Sequence, residues 1–262
     1  MGTAKPEPRL DQLRQTLAAL DPSLVGFAGE ANRLALGVPA LDAALGGGLA
    51  RGALHEFAPA APIHLAAATG TMAALTALAN RKRGQALWIA TDFAVCEGGG
   101  PYGPGLDLFG MAADRLVMLR VPRAVDALWA MEEALRCRAL GSVIAELTDD
   151  GSDADLTATR RLTLAAREGG SLGLLLRHRA TSAPSAAMTR WRIAAAPSQP
   201  DRFGGLGPAT FDLALQKNRR GPCGRWFVTW SHHECQFHAA VSLAVAAAAV
   251  DRSDRTPSVH AG

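Results

Sequence analysis

The sequence predicts an α/β fold with a mostly parallel sheet flanked by helices. Apolar strands alternate with helical segments through the middle of the 262-residue chain, an order typical of parallel strands joined by right-handed crossovers. The last third shows period-two alternation between Gly/Pro turns, which predicts antiparallel strands that extend one edge of the sheet, on the C-terminal side. The predicted strands are 54–58, 86–91, 115–120, 142–147, 172–178, 190–194, 211–217 and 225–230.

An amphipathic helix is predicted ahead of this region, at residues 10–20. Leu10, Leu13, Leu17 and Leu20 recur there at helical spacing. Such a helix either packs on its own domain or serves as a detachable helix for a partner or for self-association. The pattern leaves both interpretations open.

Further helices are predicted between the strands. A short helix begins after Pro39, and the Ala-rich stretch 65–80 predicts a buried helix whose small residues allow close packing on the sheet. The segment 125–140 places Glu132 and Arg136 four residues apart, where they can pair along one helix face. A last helix is predicted at 155–168 and is closed by two glycines.

Composition divides the chain into three expected regions. Residues 1–31 form the helix and a connector, 32–250 form one folded domain, and 251–262 form a polar tail that we expect to be disordered. No secretory signal is recognisable, and the longest apolar run, 239–250, is too short to span a bilayer. Four widely spaced cysteines form no CxxC pair, so we expect a cytoplasmic protein.

The positions of the lysines exclude one class of enzyme. The chain has 27 Lys+Arg residues, of which only Lys5, Lys82 and Lys217 are lysines. A phosphate-binding P-loop ends in Gly-Lys-Ser/Thr, because its lysine reaches the phosphates and its hydroxyl meets Mg²⁺. None of the three lysines follows a glycine. The sequence therefore predicts that the protein is not an ordinary P-loop NTPase.

A glycine- and proline-rich run at 97–105 follows a predicted strand, where α/β proteins place ligands. Its three consecutive glycines could offer backbone N–H groups, but a proline rather than a helix start follows them. The run is interpreted either as a structural Ω-type loop or as a binding loop.

Basic residues gather at 217–225, at the end of a predicted edge strand. Lys217, Arg219, Arg220 and Arg225, with the neighbouring Trp226, could grip phosphates and stack bases, or contact a protein partner. The same residues also suit a solvated hairpin turn. The pattern does not separate these alternatives.

Two carboxylates and a histidine-rich segment are weaker candidates. Asp92 and Glu146 end neighbouring strands and could hold Mg²⁺ or act as acid and base, but no phosphate loop lies between them. The segment 231–238 contains histidines whose spacing matches no zinc pattern. We expect no metal site and no cofactor.

Longer runs of sequence carry a resemblance to known families. The stretch 36–56 resembles the opening of RecA-like domains, and 58–65 occupies the place of their phosphate loop without Gly-Lys-Thr. Residues 34–256 as a whole resemble the ImuA family, which is named for inducible mutagenesis. The matching runs are 87–93, 97–107, 120–140, 156–170 and 217–226.

The resemblance implies a RecA-like core with a degenerate P-loop and a non-catalytic role in the SOS DNA-damage response. The family acts in mutagenic translesion synthesis with ImuB, an inactive relative of Y-family polymerases, and with an error-prone DNA polymerase III alpha-type subunit. RecA, DNA and a second copy of the chain are further candidate partners, and no membrane is expected. By the same resemblance, Glu146 lies near the Walker B carboxylate and Asp92 near the glutamate that activates water. Lys217 and Arg219 match residues that reach a neighbouring subunit's nucleotide.

Two alternatives of other classes stay open. One is a cell-division inhibitor like SulA, which is also RecA-like and lacks a P-loop. The other is a divergent RecA-like ATPase that uses Asp92, Glu146 and Lys217 across a subunit interface.

Overall fold

The computed structural model describes residues 32–81, 84–148, 153–201 and 203–240. Within these ranges, two short strands pair with each other and nine strands form one mixed sheet. The strands are β1 (Arg33–Leu34), β2 (Leu49–Ala50), β3 (Ala53–Pro59), β4 (Gln85–Thr91), β5 (Leu116–Val121), β6 (Leu140–Leu147), β7 (Leu172–Arg177), β8 (Thr189–Ala195), β9 (Thr210–Asn218), β10 (Gly224–Ser231) and β11 (Gln236–Ala239). The α-helices are α1 (Pro39–Ala44), α2 (Leu65–Asn80), α3 (Asp92–Gly98), α4 (Gly103–Leu108), α5 (Ala124–Leu135) and α6 (Leu156–Gly169).

The predicted α/β architecture is confirmed. The large sheet has the order β11-β10-β9-β8-β3-β7-β6-β4-β5, in which β3 to β8 pair in parallel and β9, β10 and β11 pair antiparallel. One detail of the prediction was wrong. The strand predicted at 190–194 is not purely antiparallel, because β8 lies parallel to β3 and antiparallel to β9. The histidine-rich segment also contributes β11, which period-two reasoning missed because the strand has only four residues.

Helices cover both faces of the sheet, as parallel strands require. On one face, Met72 and Leu75 of α2 pack with Trp88 of β4 and with the aromatic residues of the C-terminal strands. On the other face, α5 and α6 pack against Leu54, Ile89 and the alternate residues of β6. Trp88 and Glu146 therefore face α2, whereas Leu54 and Glu56 face α5 and α6.

Helix α2 has the exact bounds that the Ala-rich stretch predicted, and most of its residues are buried. Together with the turn before it, Pro62–Asn80 is long and apolar enough to cross a membrane by length and composition. In this structure the helix packs against β3, β6 and β8.

Helix α5 is shorter than predicted, because it ends at Leu135 rather than near 140. Residues 136–139 turn into β6, which begins two residues earlier than expected, at Leu140. The predicted Glu132–Arg136 pair is present at 2.7 Å, and Arg161 of α6 contacts the second oxygen of Glu132. This carboxylate thus joins the two helices that cover one face.

The two edges of the large sheet differ in chemistry. At one edge, β11 is short and carries Gln236 and His238. At the other, β5 exposes Val117, Met118 and Leu119. Val125 and Trp129, one turn apart on α5, are also exposed, at 51% and 63%. Apolar strand edges of this kind are templates for pairing with another chain.

Two predicted segments lie outside the described residues: the helix at 10–20, with Leu10, Leu13, Leu17 and Leu20, and the tail 251–262. The lysines Lys5 and Lys82 also lie outside them.

Candidate functional site

A pocket of about 610 Å³ opens at the carboxyl ends of β4 and β6. These strands are neighbours, but β4 leads along the chain to β5 on one side whereas β6 leads to β7 on the other. Such a divergence is where open α/β sheets place their ligands. The walls are α2, the glycine-rich loop and α4, and the floor contains Trp88 and Glu146.

Glu146 is held in one orientation by two neighbours. The Trp88 indole donates a hydrogen bond to Glu146 Oε2 at 3.1 Å, and His178 Nε2 lies 2.6 Å from Oε1. The glutamate side chain is only 7% exposed, and that of His178 is 11% exposed. Sequence reasoning missed His178, although it directly follows the strand that pairs with β6. Polar residues at the ends of two adjacent strands were the available signal.

The glycine- and proline-rich run forms one wall of this pocket. The interpretation that no helix start follows it was wrong, because α4 begins at Gly103 with Pro104 in its first turn. Proline suits that position, since the first N–H groups of a helix have no partner within it. Tyr102 lies at the pocket wall and is 74% exposed.

Asp92 is not brought into the pocket. It is the first residue of α3 and forms an ion pair with Arg120 of β5, which raises the pKa of that guanidinium. The pocket lining contains Glu146 but not Asp92. The two carboxylates of the described residues therefore do not lie in one site.

The turn between β3 and α2 contains the residues at which the resemblance to RecA-like domains implies a phosphate loop. Only Ala60 and Ala61 separate β3 from a 3₁₀ turn at Pro62–His64, which leads directly into α2. The backbone N–H of Ala60 donates to Ile193, and that of His64 donates to Ala61. Residues 58–65 contain no glycine, lysine or arginine. Two residues of this stretch are prolines, which have no backbone N–H, and no lysine or arginine is present to bind a phosphate.

Lys217 contacts a backbone carbonyl of its own chain. Its ammonium donates a hydrogen bond to the Ser185 carbonyl at 2.6 Å. Partial burial lowers the pKa of Lys217, and the nearby charges of Arg219 and Arg190 lower it further. In this structure Lys217 fastens the connector between β7 and β8.

The basic hairpin, residues 217–226, has four further candidate residues, and they form two pairs. Arg219 and Arg220 are exposed at the turn between β9 and β10. Arg225 forms an ion pair with Asp212, and Trp226 packs against Trp191 at a centroid distance of 6.3 Å. Arg225 is also exposed, at 64%, so all three arginines face solvent and Asp212 fixes the position of Arg225.

A buried acid lies beneath Lys217 on the α5 and α6 face. Glu56 is 2% exposed, accepts a hydrogen bond from Ser185 at 2.7 Å, and pairs with Arg190 at 2.8 Å. Arg177 lies 3.7 Å from the same carboxylate. Arg190 also donates to the carbonyl of Ala183. The cluster fixes the irregular connector 178–188. It could have been predicted from the sequence, because Glu56 is a charged residue inside an otherwise apolar strand.

The histidine-rich segment offers no metal centre. No group of three His, Cys, Asp or Glu side chains among the described residues is arranged to hold a metal ion. Within the segment, His238 contacts Glu234, and His232 contacts the carbonyl of Leu108.

Comparison with known proteins identifies the family. No family model matches the chain. Protein ImuA of Caulobacter vibrioides is 34% identical over 214 residues, which cover 74% of this chain and 82% of the relative. Two strains of this species, NA1000 / CB15N and ATCC 19089 / CIP 103742 / CB 15, each have a Protein ImuA with this identity and coverage. At this identity and coverage, the chain belongs to the ImuA family.

Proposed function

We propose that this chain is a non-catalytic, RecA-like accessory protein of the SOS DNA-damage response. It acts in the cytoplasm, binds an ImuB-type partner, and supports mutagenic translesion synthesis by an error-prone DNA polymerase. Membership of the ImuA family supports the place of the protein in mutagenesis. Contact with the alpha-type polymerase subunit is indirect in this proposal.

The observation that carries the non-catalytic part is the turn between β3 and α2. Binding of a nucleoside triphosphate needs backbone N–H groups and a cation at this position, which contact its phosphates. Here a 3₁₀ turn containing Pro62 follows β3 after two alanines. The region 58–65 supplies no basic side chain other than His64, whose Nδ1 accepts a hydrogen bond from Ala195. We infer a RecA-like core whose P-loop has degenerated.

The contacts of the remaining candidates support the same conclusion. Asp92 is paired with Arg120, Glu146 with Trp88 and His178, and Lys217 with the Ser185 carbonyl. A divergent ATPase that used these groups across a subunit interface would first have to break contacts within the chain. Calorimetry with ATP, with and without single-stranded DNA, tests this alternative, and nucleotide binding in either titration would contradict our proposal.

Partner binding is tested by retention of a purified ImuB-type protein on the immobilised full-length chain. We expect retention by the wild type, and we propose that the exposed pair Arg219 and Arg220 contributes to this surface or to a DNA contact. The double change Arg219→Glu and Arg220→Glu should weaken retention, whereas the same reversal at Arg167, exposed on α6, should not. Failure of the two folded wild-type proteins to associate would overturn the proposal.

A cell assay separates this function from a SulA-like one. Deletion of the gene should lower the frequency of damage-induced mutation, and expression of the chain should restore it. A cell-division inhibitor would instead produce filamentous cells on overproduction and leave mutation frequency unchanged. If DNA is contacted directly, the Arg219 and Arg220 reversals should also flatten the salt dependence of binding to single-stranded DNA.

A further inference from the structure

The pocket at the ends of β4 and β6 has a shape that its own side chains do not fill. Its wall on α2 consists of Ala66, Thr69, Gly70 and Ala73, which share one helix face. Gly70 favours close packing, because a Cβ there would lie only 3.3 Å from the ring of Phe109. The small residues keep the helix close to α4 while leaving a cavity beside it.

The opposite wall is kept open by glycines that the fold does not require for packing. A Cβ added at Gly98, Gly99 or Gly100 would meet no atom within 4 Å. Only Gly99 among them has a positive φ, of 76°, that disfavours other residues. At Gly98 and Gly100, neither packing nor a positive φ requires glycine.

The lining is chemically asymmetric. Among the described residues, Glu146 is the only charged side chain in the lining, and no basic side chain contributes to it. An anion such as a phosphate would therefore meet a carboxylate in an apolar cavity whose described lining supplies no lysine or arginine; His178 contacts this carboxylate from outside the lining. Each carboxylate oxygen can accept more than one hydrogen bond, so the contacts with Trp88 and His178 leave Glu146 able to accept another. The complementary group is a cationic donor at the end of an apolar stem.

The mouth of the pocket has the composition of a protein-binding rim. Tyr102, a lining residue, is 74% exposed, and Ile63, which lies outside the lining but two residues before Leu65, is 85% exposed. Exposed aromatic and aliphatic side chains around a concave site are typical of protein interfaces, where one inserted side chain is surrounded by apolar contacts. An aromatic ring at the mouth also favours a passing cation.

We propose that this pocket is an anchor site for a partner protein, which inserts one arginine side chain from an apolar segment. The arginine stem lies along the small-residue face of α2, and its guanidinium donates to Glu146. The flanking apolar residues of the partner contact Tyr102 and Ile63. The proposal does not depend on the basic hairpin or on the DNA-damage function.

The test uses a capped pentapeptide of sequence glycine-leucine-arginine-leucine-glycine and its citrulline analogue, which has the same shape without the charge. Binding to the full-length chain is followed by two-dimensional NMR, through the indole resonance of Trp88. We expect the arginine peptide to bind at least tenfold more tightly than the citrulline peptide. Equal affinities of the two peptides would overturn the proposal.

Three controls keep the result specific to the pocket. Ala66→Trp fills the cavity from an exposed helix position and should abolish binding, whereas Ala112→Trp, at an exposed alanine outside the lining, should not. Glu146→Gln should reduce the affinity for the arginine peptide to that for the citrulline peptide. Free butylguanidinium should bind more weakly than the arginine peptide. Equal affinity of butylguanidinium, or binding that survives Ala66→Trp, would contradict a docking site for a protein segment.

Discussion

The indole nitrogen of Trp88 donates a hydrogen bond to the carboxylate of Glu146 across two neighbouring parallel strands, at 3.1 Å. Trp88 is 1% exposed, so its N–H has no access to water and depends on this acceptor. The bond therefore couples the floor of the pocket to the packing of the core.

Replacing Trp88 by phenylalanine should destabilise the fold by at least about 1–3 kcal/mol, the cost of the lost buried hydrogen bond, to which the cavity left by the smaller ring adds. Phenylalanine keeps an aromatic ring in the core but removes the donor to Glu146. The free energy of unfolding is measured by chemical denaturation. The matched change Trp129→Phe, at a residue that is 63% exposed, should leave stability unchanged. Equal effects of the two changes would contradict a stabilising role for the bond.

Replacing Glu56 by alanine should cost about 3–5 kcal/mol, because the change leaves buried arginine without its acid. Arg177 is 3% exposed and Arg190 is 13% exposed beside this carboxylate. The control is Arg123→Ala, which removes one partner of the surface pair with Asp126 and should not change the unfolding midpoint measurably. If Glu56→Ala proved as mild as the control, the cluster would not be fixing the 178–188 connector.

Stability should fall between about pH 6.5 and pH 4 through the titration of His55. The side chain is fully buried in β3, and burial lowers its pKa from 6.5 to about 4. Its ring nitrogens contact the hydroxyl of Thr189 and the carbonyl of Ala50. A depressed pKa means that the unfolded chain binds the proton first. The contribution of about 3 kcal/mol is therefore complete above pH 6.5 and is lost as the pH falls through 4.

Carboxylates titrate in the same range, so the prediction concerns a difference between two proteins. His55→Gln should show a smaller loss of stability than the wild type when unfolding is measured at pH 7 and at pH 4. The same loss in both proteins would assign the effect to other groups.

The apolar edge strand should promote self-association. Leu119→Lys places a charge on β5 at an exposed position and should reduce concentration-dependent association, because edge lysines oppose strand pairing. Sedimentation velocity at several concentrations measures the effect. Leu164→Lys changes an equally apolar residue, 60% exposed on α6, and should have less influence. A larger effect at Leu164 would place the self-associating surface on the helix instead.

The sheet could be predicted from sequence because its strands are apolar runs of ordinary length. Helix α2 was predicted to the residue, since its alanine-rich stretch is bounded by a proline-containing turn and by Arg81 at its C-cap. The end of α5 was not, because propensity continues past Leu135 and only tertiary packing ends the helix there. Strand β11 was missed because four residues carry too little periodicity.

The candidate site was predictable only in part. Glu146 could be found because a lone carboxylate ends an apolar strand, but its contacts with Trp88 and His178 depend on which strands become neighbours. The inward direction of Lys217 could not be read from a basic run, since the Ser185 carbonyl that it binds lies in a connector without regular structure. The pairing of Arg225 likewise depends on the register, which sets Arg225 opposite Ala214 and so diagonally across from Asp212.

The central position of β3 has a consequence for synthesis on the ribosome. Its seven residues are all buried, yet both strands that pair with it, β7 and β8, lie far downstream in the chain. While the intervening segment is translated, this apolar strand emerges with no partner beside it, a situation that favours aggregation or capture by a chaperone. A nascent chain stalled before Leu172 should therefore remain open to proteases at β3, and resistance should appear only after the residues of β8 have left the exit tunnel.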